Sequence, residues 1–342
     1  MLSSFQPELF RSRMHWSAVP RIPEFGSEKT LGRRTWLQQI GLSGLAVLAC
    51  RNTRGQDPGK NSDLDATVEL VQARARKGGL AALSVKAGER YVAIGNASPQ
   101  FQATALDLCE GLATDFLTHF TERKFPVQNL SRKLPIVILA NPDDFAAFLG
   151  LKDESDAVAG IYEVRSGWLV VRDNRRKESP QGARANTVSL FHEATHQLAY
   201  ETRILDRDAN LPLAIVEGLG TYGEVRRPDG RTRIGALNAE RLQVLGAAAR
   251  DGLSLFGLNE FFTDDELFEF PRTEQLAYAQ AWGLIHMLMQ PARVTKFQAY
   301  LERANSRREP RQRIDDLQAG LGSLEELESE LKKHLNRLIR KA

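Results

Sequence analysis

The residues with the clearest capacity for chemistry lie in the segment VSLFHEATHQLAY, positions 188–200. His192, Glu193 and His196 form the pattern H-E-x-x-H. On a helix, positions i and i+4 share a face, so the two imidazoles could bind one metal ion. Glu193 could then reach a metal-bound water and act as its general base. Metal binding lowers the pKa of water to about 7, which would supply a nucleophile at neutral pH.

A third ligand is expected, because a catalytic zinc takes three protein ligands and keeps one position for water. Glu217 is the single acid of the apolar stretch LPLAIVEGLGTY, and it follows His196 by 21 residues. One loop and a returning helix fit that gap. An acid in such a stretch is costly unless it is paired or metal-bound. Pairing with a nearby arginine is the alternative interpretation. Zinc itself is inferred from the ligand types, since other divalent ions can occupy them.

H-E-x-x-H followed by a helix with E-G-L-x-x-Y resembles the gluzincin metallopeptidases, the thermolysin-like peptidase MA superfamily. The resemblance implies a zincin-like catalytic domain with Zn²⁺ bound by His192, His196 and Glu217 and with Glu193 as general base. It also implies that the strand before the catalytic helix binds an extended peptide or protein substrate by β-addition. We expect that strand to be 167–173.

The phrase YAQAWGLIH at 278–286 adds a second likeness. Together with the N-terminal signal and the strand–helix opening, it resembles a planctomycete-type family of uncharacterised secreted peptidase-MA-like proteins over roughly residues 85–300. Gluzincins stabilise the developing oxyanion with a tyrosine or histidine from the later helices. Tyr278 is the first candidate for that role and Tyr222 the second. A core tyrosine with a satisfied hydroxyl is the alternative for Tyr278.

Other polar residues have less specific surroundings. Three residues could orient the ligand histidines from behind, and the sequence does not choose between them: Thr221, Glu224 and Asp206. His286 lies among apolar residues and is expected in the core. His119 and His334 have mixed or charged neighbours and are expected at the surface. Cys109 is expected to be a buried thiol within a helix.

The elements that must position these residues follow from hydrophobic periodicity. Strands are predicted at 91–95 and 134–140, and a hairpin over 159–172. Helices are predicted over 99–122, after Asn141, and from Asn186 or Thr187 through the motif. Beyond about residue 186 the chain is predicted to be chiefly helical. Strands followed by helices indicate an α+β fold, with a small mixed sheet, the motif helix and a mainly helical C-terminal part.

The N-terminus has the pattern of an export signal. Arg33 and Arg34 precede an apolar stretch of about ten residues, whereas a membrane span needs about 20. The stretch ends at Cys50, in a sequence that resembles a lipobox. Lipidation would attach the protein to a membrane surface, and simple cleavage or retention of the signal is the alternative. We predict export by the twin-arginine route to the periplasm or cell envelope.

The predicted organisation is a signal segment over 1–50, a linker over 51–64, an α/β part over 65–180, and the motif helix with a helical C-terminal part over 181–342. The net charge of +3 is small for 342 residues, and no concentrated basic face indicates nucleic-acid binding. Two cysteines exclude a disulfide framework and a four-thiolate zinc site.

Three functions remain open at this stage. The first is peptide hydrolysis by zinc-activated water. The second is a catalytically idle zinc-containing domain that binds partners at the cell envelope. The third is hydrolysis of other amides or esters. The intact Glu193 favours catalysis, because an idle site needs no base.

Overall fold

The computed structural model describes residues 60–151, 159–173, 180–225 and 234–341. The predicted signal, Cys50 and most of the predicted linker lie outside these ranges. Within them, no helix combines the length and the apolar character that crossing a bilayer requires.

The described ranges form an α+β fold, as predicted. The strands are β1 (Ser84–Ala87), β2 (Tyr91–Gly95), β3 (Leu134–Leu139), β4 (Gly160–Glu163) and β5 (Trp168–Arg172). The helices of the first half are α1 (Lys60–Lys77), α2 (Pro99–Glu122), α3 (Pro142–Leu149) and α4 (Pro180–Glu201). The later helices are α5 (Leu213–Gly223), α6 (Ala239–Arg250), α7 (Leu258–Thr263), α8 (Glu274–Leu288), α9 (Val294–Asn305), α10 (Arg313–Leu321) and α11 (Leu324–Ile339). Short 3₁₀ helices cover Asp265–Phe268 and Pro310–Gln312.

The five strands form one mixed sheet in the order β1-β2-β3-β5-β4. β2, β3 and β5 run parallel, and β1 and β4 pair antiparallel at the two edges. Strands β2, β3 and β5 are buried throughout and are apolar except for Arg172 at the end of β5, as expected for parallel strands covered on both faces. One face packs against α1 and α3, and the opposite face packs against α2, α4 and the later helices.

The prediction that 167–173 is the strand to which a substrate adds is wrong, because this strand is not at an edge of the sheet. β5 pairs with β3 on one side and with β4 on the other, so the edge next to the hairpin belongs to Gly160–Glu163. The reason is topological: the second strand of the hairpin runs parallel to β3 and takes the inner position, which leaves the first strand outside.

The local predictions for the N-terminal half are confirmed. The second helix covers Pro99–Glu122, and the Ser98 hydroxyl caps it. The Asn141 side chain accepts a hydrogen bond from the Asp144 N–H at 2.9 Å and caps α3, which ends at Gly150 in the left-handed conformation. Cys109 is buried within α2.

Two helix starts differ from the predictions. The motif helix begins at Pro180, not at Asn186 or Thr187, because proline is well tolerated at the first helical position. Helix α1 begins at Lys60, so the last residues of the predicted linker are helical.

Candidate metal centre

The motif helix and the helix that follows it bring three ligand side chains together. His192 and His196 lie on one face of α4, and Glu217 lies on α5. All three are buried. Their ligand atoms lie within 4.8 Å of one another, so the described residues contain a cluster that could hold a metal ion.

The spacing of the three atoms fits a tetrahedral metal. His192 Nε2 lies 3.0 Å from Glu217 Oε2 and 3.0 Å from His196 Nε2, and His196 Nε2 lies 3.6 Å from Glu217 Oε2. A tetrahedral ion with bonds of about 2.0 Å separates its ligand atoms by about 3.3 Å. One face of such a tetrahedron therefore matches these three atoms.

The hydrogen bonds of His192 also indicate a cation site. Its Nδ1–H donates to Glu224 Oε1 at 2.9 Å, which leaves the lone pair of Nε2 facing the Glu217 carboxylate. A lone pair and a carboxylate repel each other unless a cation lies between them. Burial alone would lower the pKa of His192, but hydrogen bonds to Glu217 and Glu224 raise it to about 9. Both ring nitrogens of His192 thus lie against carboxylates, an arrangement that favours a cation at Nε2, either a proton or a metal ion.

Of the three residues proposed to orient the ligand histidines, Glu224 fulfils the role. Its Oε2 accepts from Asn238 at 3.0 Å, and Arg241 donates to both carboxylate oxygens. Burial raises the pKa of Glu224, but the adjacent Arg241 outweighs it, and the pKa is lowered to about 2. Glu224 therefore stays ionised as an acceptor for His192.

The other two candidates lie elsewhere in the bonding network. The Thr221 hydroxyl donates to the carbonyls of Glu217 and Gly218 in its own helix. Asp206 pairs with Arg203 and Arg308.

Glu193 is buried beside the ligands and is held by the edge strand. Its Oε2 accepts the Tyr162 N–H at 2.9 Å. The Arg172 N–H donates to the Ala159 carbonyl, so by the two-residue alternation of an antiparallel ladder Tyr162 directs its backbone groups away from β5. The outer edge of β4 therefore runs past the Glu193 carboxylate.

Tyr278 lies near the cluster and Tyr222 does not serve it. The Tyr278 ring centroid is 6.1 Å from that of His192, and Arg241 lies 5.5 Å from the Tyr278 centroid. The Tyr222 hydroxyl is instead 3.1 Å from His119 Nε2.

The remaining histidines also have defined places. His119 is half-buried, not exposed, since α5 covers it through its bond to Tyr222. His286 is buried as predicted. His334 was predicted at the surface, but it is buried too, because it packs against His286 with Nε2 2.9 Å from His286 Nδ1.

Three glycines of α5 permit its close approach to its neighbours, and sequence reasoning missed them. A Cβ at Gly220 would lie 2.7 Å from His192 Nε2 and 2.8 Å from His196 Cε1. A Cβ at Gly223 would lie 1.9 Å from Thr195 Oγ1. On the opposite side, a Cβ at Gly218 would lie 2.9 Å from the Ala281 carbonyl of α8. Glycines within a helical pattern are the signal that could have indicated this packing.

Fold and site together define an α+β protein with a buried His-His-Glu cluster that could bind a metal ion. Residues 185–312 match a family described as a protein of unknown function, DUF1570. The matched range contains the motif, Glu217, Arg241 and Tyr278, but none of the five strands. No curated protein matches the chain.

Proposed function

We propose that this protein hydrolyses peptide bonds with a zinc-activated water. His192, His196 and Glu217 would hold the ion. When bound, zinc would supply an acidic water and polarise the scissile carbonyl. The carboxylate of Glu193 accepts the proton from the water and passes it to the leaving amine. Tyr278 donates its hydroxyl hydrogen bond to the developing oxyanion.

The observation that carries this proposal is the position of Glu193. Glu193 is buried and directly follows the ligand His192 on α4, and its carboxylate accepts the Tyr162 N–H. A domain that only binds metal would need no carboxylate fixed beside the ligands. This position therefore favours a hydrolase over an idle binding domain.

The edge strand favours a peptide over another amide or ester. Extended peptides bind by adding a strand to a sheet edge, with main-chain hydrogen bonds giving affinity. β4 is the edge strand nearest Glu193, and its Tyr162 N–H already donates to the Glu193 carboxylate, so a peptide that adds to β4 would pair beside this N–H and lie next to the proposed general base.

The first test is metal content of the full chain, purified without chelator and measured by mass spectrometry. We expect about one zinc per chain, as a single three-ligand site requires, and loss of it in His192→Ala and Glu217→Ala. A wild-type protein without stoichiometric metal would overturn the proposal.

The second test is a peptide-library screen with Glu193→Gln as the matched control. This variant keeps the side-chain volume and should retain zinc. Removal of a general base should lower kcat by about 10²–10⁴-fold. Equal cleavage by wild type and Glu193→Gln would show that Glu193 is not the base. Zinc binding with ester cleavage and no peptide cleavage would favour the wider hydrolase class.

The predicted cellular location is a separate proposal. Export by the twin-arginine route, and attachment to a membrane surface through a lipidated Cys50, rest on the sequence outside the described ranges.

A further inference from the structure

We propose that Arg241 is a positioning residue that acts on two parts of the site. It acts on the metal ligand His192 through Glu224, and it acts directly on the ring of Tyr278. The Tyr278 half rests on the proposed function. The His192 half requires only that the cluster binds a metal ion.

The first contact fixes the plane of the Glu224 carboxylate. Arg241 donates from NH2 to Oε1 at 2.7 Å and from Nε to Oε2 at 3.1 Å. This bidentate contact is specific to the planar guanidinium, and a lysine cannot reproduce it. With its plane fixed, Glu224 presents Oε1 to His192 Nδ1 at 2.9 Å.

His192 is the ligand imidazole on which this orientation depends. Nδ1 of His196 has no hydrogen-bond partner in the described part of the chain. Outer hydrogen bonds to ligand histidines set ring orientation and metal affinity. Of the two ligand histidines, Arg241 therefore orients His192, whose outer nitrogen is hydrogen-bonded to the Glu224 carboxylate.

The second contact places the same guanidinium over an aromatic ring. Arg241 Cζ lies 5.5 Å from the Tyr278 ring centroid, within the range of about 6 Å for a cation–π contact. Tyr278 lies on α8, Arg241 on α6, and Glu224 directly after α5. One side chain thus joins three separate elements at the centre, and losing it should affect both metal binding and Tyr278.

The test of the first half is the affinity of the metal-free full chain for Zn²⁺, measured by competition with a chromophoric chelator. Arg241→Met should weaken binding by about 10–100-fold, as the loss of an outer partner does. Arg241→Lys keeps the positive charge but lacks the bidentate contact, so its Zn²⁺ affinity should lie between those of Arg241→Met and the wild type. The visible spectrum of the Co²⁺-loaded protein should change in Arg241→Met, because the His192 ring is no longer fixed.

The matched control is Arg307→Met. Arg307 also contacts both oxygens of a buried carboxylate, that of Asp316, at 3.2 and 3.0 Å. Because distant sites act independently, this variant should bind Zn²⁺ within about twofold of wild type. Should Arg241→Met not fold, Glu224→Gln tests the same chain of contacts and should also weaken binding. Equal Zn²⁺ affinities for wild type and the Arg241 or Glu224 variants would overturn the first half.

The second half is tested at saturating zinc with a peptide from the library screen. Arg241→Met should lower kcat by a larger factor in the otherwise wild-type protein than in the Tyr278→Phe variant. The reason is that part of the effect of Arg241 depends on the Tyr278 hydroxyl, which the phenylalanine lacks. An equal factor in both backgrounds would overturn this half. Zinc binding by the wild type without any hydrolysis would overturn the proposed function and the Tyr278 half with it, while the zinc affinities would still decide the first half. A wild type that binds no metal would overturn both halves.

Discussion

Gly220→Ala should impair metal binding much more than it impairs folding. The new Cβ would lie 2.7 Å from His192 Cε1 and Nε2. That is about 0.8 Å short of the roughly 3.5 Å at which two carbon atoms pack favourably. Metal–ligand distances must hold within about 0.2 Å. A displaced imidazole should therefore weaken Zn²⁺ binding by about 100-fold. That is the upper end of the loss in affinity caused by removing the outer hydrogen-bond partner of a metal ligand.

The expected change in stability is small because two terms oppose each other. Alanine is favoured over glycine in a helix interior by about 1 kcal/mol, while overpacking a core costs about 1–3 kcal/mol. The net free energy of unfolding of the metal-free protein should fall by no more than about 2 kcal/mol.

Gly246→Ala is the matched control, since a Cβ there would meet only Arg250 NH1 at 3.4 Å and Ile339 at 3.7 Å. That variant should gain about 1 kcal/mol of stability from helix propensity and keep its zinc affinity. Chelator competition measures the affinity, and denaturant unfolding of the metal-free proteins measures the stability. Wild-type zinc affinity in Gly220→Ala would refute the packing argument.

Three further predictions concern the rest of the fold. Burial, with His286 adding to the effect, lowers the pKa of His334 to about 4, below the 6.5 of an unfolded chain. The stabilising effect of the neutral form is complete above pH 6.5 and is lost as pH falls from 6.5 towards 4, so Tm should fall in that interval and fall less in His334→Gln. An equal pH slope in both proteins would contradict this. Burial also raises the pKa of the Cys109 thiol far above its usual range, so in a Cys50→Ser background a thiol reagent should react only after unfolding. Arg74 donates to both oxygens of Glu163 and joins α1 to the edge strand, so Arg74→Met should lower the unfolding free energy by about 1–3 kcal/mol in urea titrations. Unchanged stability would mean that α1 is held by its apolar contacts alone.

The parts of the site that could be predicted are those determined locally. Spacing along one helix places His192 and His196 together, whatever the rest of the fold does. Glu217 was predicted because a single acid in an apolar helix needs a partner, and the structure gives it two histidines. Caps and apolar runs gave the elements of the N-terminal half for the same reason, since their causes lie within a few residues.

The parts that could not be predicted depend on contacts between distant segments. The strands of the hairpin are both apolar, so their composition does not indicate which one pairs with β3. Arg241 follows Glu224 by 17 residues and lies in the first turn of another helix, and nothing local links it to a ligand histidine. His334 carries charged neighbours in sequence, but it lies against His286 because α11 packs on α8.

The glycines of α5 make this helix a spacer of fixed thickness. Gly220 and Gly223 set it against α4, which carries the ligand histidines, and Gly218 sets it against the backbone of α8, which carries Tyr278. Helices usually meet through side chains, which can change rotamer and absorb a small displacement. At these glycines the α5 backbone meets the imidazoles of His192 and His196 and the Thr195 hydroxyl on one side, and the Ala281 carbonyl on the other. A methyl group added at any of the three would have to displace a ligand imidazole, a hydroxyl or a neighbouring helix, so the distances from α5 to α4 and to α8 tolerate little change in sequence at these positions.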